Sequence, residues 1–268
     1  MKVKKNIKDI VREKYSRIAN QSKQQNETSC CGSGGCCDEI DYTVFSDDYS
    51  HLQGYNQDAD LGLGCGLPTE FAKIKAGYTV LDLGSGAGND CFVARSLVGE
   101  AGKVIGLDFS DEMLKKAKDN VEKMAYKNVK FIKGDIEEMP VQSNSIDVVI
   151  SNCVLNLVPD KEKAFSEVYR VLKEGAHFSV SDVVILGELP NMLKESAEMY
   201  AGCVSGAIHK DEYIEIIKKT GFKNIEVQKE KKVEIPDDIL LNFMNESELH
   251  NFKNGSIGIY SINVFARK

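Results

Sequence analysis

The sequence has no tryptophan, only five prolines and no long apolar run, and these shortages limit what the protein can be. No stretch approaches the roughly 20 apolar residues that a membrane-spanning helix needs. The first residues run into further lysines, arginines and glutamates instead of the apolar core of a secretion signal. We therefore expect no membrane association and a cytoplasmic location.

Basic residues are also fewer than acidic ones. Lysine and arginine total 34 against 41 aspartates and glutamates, which gives a formal net charge of −7. The basic residues are scattered, whereas a nucleic-acid-binding protein needs them concentrated on one surface. We therefore expect a small-molecule substrate and no nucleic acid partner.

The chain is organised around a glycine turn. An apolar run rich in β-forming residues ends at Asp82, and glycines follow at alternate positions, at Gly84, Gly86 and Gly88. A helical apolar pattern begins just beyond, which predicts the first strand, turn and helix of an open parallel sheet. Such a turn exposes bare backbone and a helix N-terminus to a ligand. Because the third glycine comes one residue early, the turn differs from the dinucleotide motif G-x-G-x-x-G.

Two further predicted strands also end in acids at the same edge of the sheet. Residues 103–108 predict a second strand ending at Asp108, and residues 129–135 predict a third ending at Asp135. Asp108 is suitably placed to accept hydrogen bonds from both hydroxyls of a ribose. An arbitrary turn between a strand and a helix would not be followed by both acids.

Together the L-D-L-G-S-G-A-G turn, the acid of the second strand and the G-D-I segment of the third resemble the S-adenosylmethionine-dependent methyltransferases of the Rossmann-like class. The resemblance implies an α/β fold with a seven-stranded, mostly parallel sheet whose last strand is antiparallel. It implies S-adenosylmethionine as the cofactor, with Asp135 and Ile136 against its adenine. The cofactor-binding residues that it implies are Asp82, Gly84, Ser85, Gly86, Gly88, Asp108, Phe109, Met113, Gly134, Asp135, Ile136 and Asn152.

The length of 268 residues accommodates one sizeable α/β core with appendages. We expect an N-terminal helix and a cysteine-bearing lid segment in residues 1–68, and the cofactor-binding core in residues 69–186. Residues 187–268 should supply substrate-binding elements and the last two strands. We expect a monomer.

Cysteine is the residue that the chain has in excess. Eight cysteines without a secretion signal indicate metal binding, catalysis or burial rather than structural disulfides. Cys30, Cys31, Cys36 and Cys37 form two vicinal pairs in a polar, glycine-rich segment, which does not match the spacing of a zinc ribbon. Such a segment has no core to join, so exposed, redox-active thiols remain as its interpretation.

Three other cysteines stand where a ligand could reach them. Cys65 and Cys203 lie among glycines, and Cys153 ends a predicted buried strand over residues 146–153. Open α/β sheets bind ligands at the carboxyl ends of such strands. For Cys65 alone, a tight turn with a small apolar filler is an equally good account. Cys91, in the first turn of the helix after the glycines, is interpreted as a core residue.

Cysteine sulfurs are the nucleophilic atoms that these positions offer. The pocket edge has no well-placed histidine to act as a general base, and His51 and His209 are weak candidates. Thiolates select soft, thiophilic elements. A trivalent arsenic atom takes three thiolates and keeps a lone pair that could itself attack a methyl group, so that no base is needed.

The segments G-L-G-C-G-L-P, S-N-C-V-L-N-L and A-G-C-V-S-G-A together resemble the arsenite methyltransferases, which act in arsenic detoxification. The resemblance implies that Cys65, Cys153 and Cys203 are the arsenic ligands. It also implies that Cys30 or Cys31, in the T-S-C-C segment, joins a redox cycle that forms a disulfide, for which we predict Cys65 as the partner. A thiol reductant, glutathione or the thioredoxin system, would then be required, with thioredoxin as a partner and no metal cofactor.

Two other functions stay open. One is a methyltransferase for a small organic or quinone-like substrate, whose cysteines are structural. The other is a thiol-based protein that binds or senses metalloids without catalysis. The first would turn over without any thiophilic element, whereas the second would bind arsenite without consuming S-adenosylmethionine.

Overall fold

The computed structural model describes residues 7–21, 47–187, 206–234, 237, 241, 245–254 and 258–268. The helix that the sequence predicts over residues 192–200 lies outside the described residues. So do several of the cysteines discussed above: Cys30, Cys31, Cys36, Cys37 and Cys203.

Within the described residues, seven strands form one sheet, in the order β3-β2-β1-β4-β5-β7-β6. Along the chain the strands are β1 (Thr79–Leu83), β2 (Lys103–Asp108), β3 (Val129–Lys133), β4 (Ile146–Asn152), β5 (Leu172–Leu186), β6 (Lys223–Lys232) and β7 (Gly258–Arg267). The first five pair in parallel, whereas β7 is antiparallel to both β5 and β6. The predicted α/β class, with a mostly parallel sheet and an antiparallel last strand, is confirmed.

Helices pack on both faces of this sheet. Successive side chains of a strand point to opposite faces, so neighbouring residues of β1 enter different cores. Val80 packs into the core that includes α3 (Asn89–Val98) and α4 (Asp111–Lys123). Leu81 packs into the core that includes α5 (Lys161–Val171) and α6 (Lys210–Lys219). In chain order the helices are α1 (Ile7–Ala19), α2 (Pro68–Phe71), α3 (Asn89–Val98), α4 (Asp111–Lys123), α5 (Lys161–Val171), α6 (Lys210–Lys219) and α7 (Glu246–Asn254).

The start of α4 shows how local sequence positions the site. Ser110 is the N-cap, and its hydroxyl accepts a hydrogen bond from the Met113 N–H at 3.3 Å. Asp111 and Glu112 follow in the first turn, where acidic side chains interact favourably with the helix dipole. The cap fixes the turn that joins the end of β2 to α4.

Several predicted boundaries differ from the structure. The sequence pattern predicts a helix over residues 160–173, but α5 ends at Val171, because the buried Leu172 adopts an extended backbone and pairs with Ile146. Strand β5 therefore begins earlier than the predicted residue 176, with a register shift between Ile146 and Val148. The helix predicted over residues 69–76 is the shorter α2, since Lys73 has a positive φ of 49° that a helix cannot continue through.

Helix α1 lies against α4. The Ser16 hydroxyl donates to Glu112 Oε2 at 2.6 Å, and the Lys116 ammonium donates to the carbonyls of Ala19 and Gln21 at 3.2 Å. The amphipathic helix predicted near the start of the chain is thereby held over the carboxyl ends of the neighbouring strands.

None of the helices in the described part of the chain combines the length and the apolar character that crossing a membrane requires.

Candidate active site

A cavity of about 340 Å³ lies at the carboxyl ends of β1, β2 and β4, within the size range of small-molecule sites. Side chains of α1, among them Lys8, Val11, Arg12 and Tyr15, form part of its wall. Every predicted cofactor residue except Gly88 lines it: Asp82, Gly84, Ser85, Gly86, Asp108, Phe109, Met113, Gly134, Asp135, Ile136 and Asn152.

The glycine turn brings bare backbone to the cavity. Gly84 has a φ of 64°, and a Cβ there would lie 2.5 Å from the Val154 side chain. Gly86 has a φ of 51°, and a Cβ there would have only the Met113 sulfur nearby, at 3.9 Å. Gly88 packs instead against aromatic side chains, because its Cβ would lie 2.7 Å from the Phe131 ring. Gly84 thus permits a backbone conformation with positive φ, Gly86 leaves the backbone accessible from the cavity, and Gly88 allows close packing against an aromatic ring.

Asp108 is held rigidly at the end of β2. It is buried, and its two carboxylate oxygens accept hydrogen bonds from the backbone N–H groups of Gly86 and Ser110, each at 2.9 Å. Burial raises the pKa of Asp108, while these backbone donors lower it. A carboxylate has about four acceptor positions, so Asp108 can also accept from hydroxyl groups in the cavity.

Two buried polar atoms of the cavity wall fit the cofactor that the resemblance implies. Ser85 Oγ and Asn89 Oδ1 are buried, and among the described residues neither has a hydrogen-bond partner. Buried polar groups in native proteins are nearly always hydrogen-bonded, so these atoms indicate a polar ligand. Together with Asp108 they provide the donors and acceptors that a nucleoside with an amino-acid tail requires.

Asp135 forms an ion pair with Lys8 of helix α1. The Lys8 ammonium lies 2.6 Å from Asp135 Oδ2 and 2.6 Å from Glu137 Oε2, and the Glu137 N–H donates to Asp135 Oδ1 at 2.9 Å. Although burial raises the pKa of Asp135, the hydrogen bond from Lys8 lowers it below its usual range. The acid predicted to contact adenine therefore also ties α1 to the loop after β3.

Cys153 lines the same cavity, directly after the end of β4. It is buried and has a φ of 58°, a backbone conformation that residues other than glycine rarely adopt. Its N–H donates to the carbonyl of Ser181 at 2.8 Å, which holds this conformation. Strained backbone of this kind is concentrated at functional sites.

Cys65 is brought to the same strand end from the segment before α2. Its N–H donates to Asn152 Oδ1 at 2.9 Å, and its carbonyl accepts from the Ser261 hydroxyl. Because Asn152 precedes Cys153, one side chain joins the backbones that carry the two thiols. Cys65 is buried and is not among the described residues that line the cavity. The predicted third ligand, Cys203, lies outside the described residues.

Cys91 is confirmed as a core residue. Its thiol is fully buried and donates to Asp82 Oδ2 at 3.2 Å. Burial and the Asp82 charge raise the pKa of this thiol well above its usual value, which keeps it protonated and unreactive.

A buried acid and phenol near the thiols have no counterpart in the sequence analysis. The Tyr213 hydroxyl donates to Asp182 Oδ2 at 2.9 Å, and both side chains are fully buried. Burial raises the pKa of Asp182 to about 6. Burial and the Asp182 charge raise the pKa of Tyr213, and the charges of Cys65 and Cys153 raise it further. The pair therefore lies within electrostatic range of both thiols.

We expect Asp182→Asn to change the pH dependence of stability. Between the ordinary value of 3.8 and about 6, the folded protein binds more protons at Asp182 than the unfolded chain does. This stabilisation is complete below the lower value and is lost as the pH rises through the upper one. The free energy of unfolding of the variant should therefore rise relative to wild type by about 2–3 kcal/mol between about pH 4 and 7.

Urea unfolding of both proteins at several pH values measures this difference. Asp119→Asn, at an exposed position on α4, is the control. Its free energy of unfolding relative to wild type should not change with pH. A constant difference between Asp182→Asn and wild type across this range would contradict the burial argument.

Tyr49 and Asp90 also line the cavity, although neither is among the site residues that the sequence predicts. Tyr49 stands in a polar stretch without periodicity, so nothing in its neighbourhood marks it as buried. Asp90 follows the glycine turn, and its place in the first turn of α3 was the one available signal. Both are buried, at 4% and 9% exposure.

A methyltransferase domain model matches residues 74–230. An arsenite methyltransferase of Halobacterium salinarum is 42% identical over 82% of this chain and 58% of its own length. The arsenite methyltransferase of Homo sapiens is 42% identical over 59% of this chain and 44% of its own length. The chain thus spans about half the length of these curated relatives.

A solved structure agrees with these relatives. The crystal structure of an arsenic(III) S-adenosylmethionine methyltransferase from Chlamydomonas reinhardtii matches with a TM-score of 0.64 at 35% identity. The match covers 76% of this chain and 67% of that protein.

Proposed function

The chain belongs to the S-adenosylmethionine-dependent methyltransferases, in the arsenite methyltransferase family, and on that premise we propose that it methylates trivalent arsenic held by cysteine thiolates. The observation that carries the proposal is the thiol of Cys153 in the wall of the cofactor cavity. The hydrogen bond from Cys65 to Asn152, at the same strand end, supports it.

When bound, S-adenosylmethionine supplies a methyl group on a positively charged sulfur, which is an electrophile. Asp108 would accept hydrogen bonds from the ribose hydroxyls, and the N–H groups of Gly86 and Ser110 hold its carboxylate in position. Ser85 Oγ and Asn89 Oδ1 supply further hydrogen-bonding atoms. Helix α1 covers the cavity and limits the access of water, with Lys8 bound to Asp135 and Glu137.

The substrate binds by exchange of ligands on arsenic. Each cysteine thiol forms an arsenic–sulfur bond while an arsenic–oxygen bond breaks, and the thiol proton leaves with the hydroxide as water. Cys65 and Cys153 supply two of the sulfurs, and we assign the third to Cys203. The bound arsenic retains a lone pair, which would be the nucleophile toward the methyl group that S-adenosylmethionine supplies, so no side chain has to remove a proton.

The methyl transfer raises arsenic from the trivalent to the pentavalent state. Two thiolates return it to the trivalent state by giving up two electrons and forming a disulfide. We assign this disulfide to Cys65 and to Cys30 or Cys31. Glutathione or the thioredoxin system, acting on a monomer in a reducing cytoplasm, would restore the thiols.

One assay tests the proposed function. Purified protein is incubated with S-adenosylmethionine, a thiol reductant and arsenite, and both cofactor consumption and arsenic speciation are followed in time. We expect cofactor consumption to depend on arsenite and to match the methyl groups found on arsenic. Arsenite binding without cofactor consumption would identify a metalloid-binding protein instead. Methylation of a small quinone, with none of arsenite, would identify the other alternative.

A further inference from the structure

A buried cluster of three polar side chains connects the cofactor cavity to the segment that carries Cys65. We call it the Tyr49 cluster, and it consists of Tyr49, Asp90 and Asn152. The Tyr49 hydroxyl lies 3.0 Å from both carboxylate oxygens of Asp90 and 3.0 Å from the carbonyl of Gly66. Asn152 Nδ2 lies 2.5 Å from the Tyr49 oxygen, 2.9 Å from the Gly66 carbonyl and 3.1 Å from Asp90 Oδ2.

The donors and acceptors of the cluster are balanced. One phenol hydrogen and two amide hydrogens face the Asp90 carboxylate, the Gly66 carbonyl and the phenol oxygen. Burial raises the pKa of Asp90, and the hydrogen bonds from Asn152 and Tyr49 lower it. A buried carboxylate is costly without such donors, so the removal of one weakens the whole cluster.

The cluster holds the backbone of Cys65 and Gly66 at two points. Asn152 accepts from the Cys65 N–H through Oδ1, while Asn152 Nδ2 and the Tyr49 hydroxyl contact the Gly66 carbonyl. The segment is tightly packed, because a Cβ on Gly66 would lie 2.6 Å from the Ser181 hydroxyl. The position of the Cys65 thiol relative to Cys153 therefore depends on these hydrogen bonds.

We propose that Tyr49 is a positioning residue for the Cys65 thiol and acts through Asp90 and Asn152. The proposal rests on the proposed function only in naming arsenic as the atom that the thiol binds. Tyr49, Asp90 and Asn152 all line the cofactor cavity, so the cluster joins the wall of that cavity to a substrate ligand. Tyr49 itself needs no contact with the reacting atoms.

Tyr49→Phe tests this role because it keeps the ring and removes only the hydroxyl. In the part of the chain that the structure describes, the buried thiols of Cys65, Cys91 and Cys153 serve as reporters, each read by peptide mass spectrometry after timed alkylation with N-ethylmaleimide. Loss of the hydroxyl should raise the alkylation rate of Cys65 about tenfold and leave the other two within about twofold. A purely structural role would raise all three rates together, since Cys91 is in the core.

Kinetics supply the functional readout. We expect the KM for arsenite to rise about tenfold in Tyr49→Phe, with the KM for S-adenosylmethionine changed less than about threefold. The matched control is Tyr55→Phe, which removes a hydrogen bond of the same kind from the same segment, from Tyr55 to Asp60 at 3.1 Å. This control should leave the alkylation rate of Cys65 and the KM for arsenite unchanged.

A second variant covers the case in which Tyr49→Phe does not fold. In Tyr49→Phe combined with Asp90→Asn, the carboxylate that lost its donor is also removed, and the Cys65 rate should still rise selectively. Equal rates at all three thiols, or an unchanged Cys65 rate in the folded variants, would overturn the positioning role. Suppose that the wild-type protein fails to methylate arsenite, but Tyr49→Phe still raises the alkylation rate of Cys65 alone. In that case the proposed function fails and the positioning role stands.

Discussion

Replacing Cys153 by serine is expected to abolish methyl transfer to both arsenite and monomethylarsenite. Cys153 is buried in the cavity wall and fixed by its hydrogen bond to Ser181, so no other described thiol can take its position. A serine hydroxyl is a hard ligand that holds trivalent arsenic poorly. Each methyl group replaces one thiolate on arsenic, and we propose Cys153 as the ligand that both steps require. Activity should fall to the limit of detection.

Cys65→Ser is the matched comparison for this prediction. Monomethylarsenite needs only two thiolates, which we assign to Cys153 and Cys203. Cys65→Ser should therefore lose the methylation of arsenite and retain that of monomethylarsenite when an external thiol reduces the product. The measurement is the initial rate of each variant on each substrate. A Cys153→Ser protein that methylates monomethylarsenite at near wild-type rate would refute the proposed site.

Asp108→Ala is expected to weaken S-adenosylmethionine binding by about 1.5–3 kcal/mol, which is the range for a hydrogen bond to a charged group. Each tenfold change in affinity corresponds to about 1.4 kcal/mol, so the dissociation constant should rise roughly 10- to 150-fold. The loss includes the orientation of the glycine turn, because Gly86 N–H donates to this carboxylate. Titration calorimetry with S-adenosylmethionine measures the effect.

The control for Asp108→Ala is Asp111→Ala. Asp111 is a nearby acid at the start of α4, but it is exposed, does not line the cavity and pairs with Lys133 at 2.6 Å. Asp111→Ala should bind S-adenosylmethionine as wild type does. Unchanged affinity in a folded Asp108→Ala protein would remove Asp108 from the cofactor site.

The described cavity agrees with much of the sequence prediction because neighbouring elements in a parallel sheet obey simple rules. Asp108 and Asn152 end β2 and β4, Asp82 is the last residue but one of β1, and the carboxyl ends of parallel strands meet at one edge. Their convergence follows from the strand pattern alone. The boundary at Leu172 could not be predicted in this way, because its pairing with Ile146 overrides the helical pattern of the residues before it.

The sequence by itself determined the strand and helix order, the glycine turn, the acids at the strand ends and the family to which the cysteine motifs point. These features depend on the spacing of residues within about ten positions, which the chain displays directly. Only the tertiary structure decided that Tyr49, Asp90 and Asn152 form one buried cluster and that Tyr213 meets Asp182. Such pairs are far apart in the chain, and packing and the satisfaction of buried hydrogen bonds bring them together.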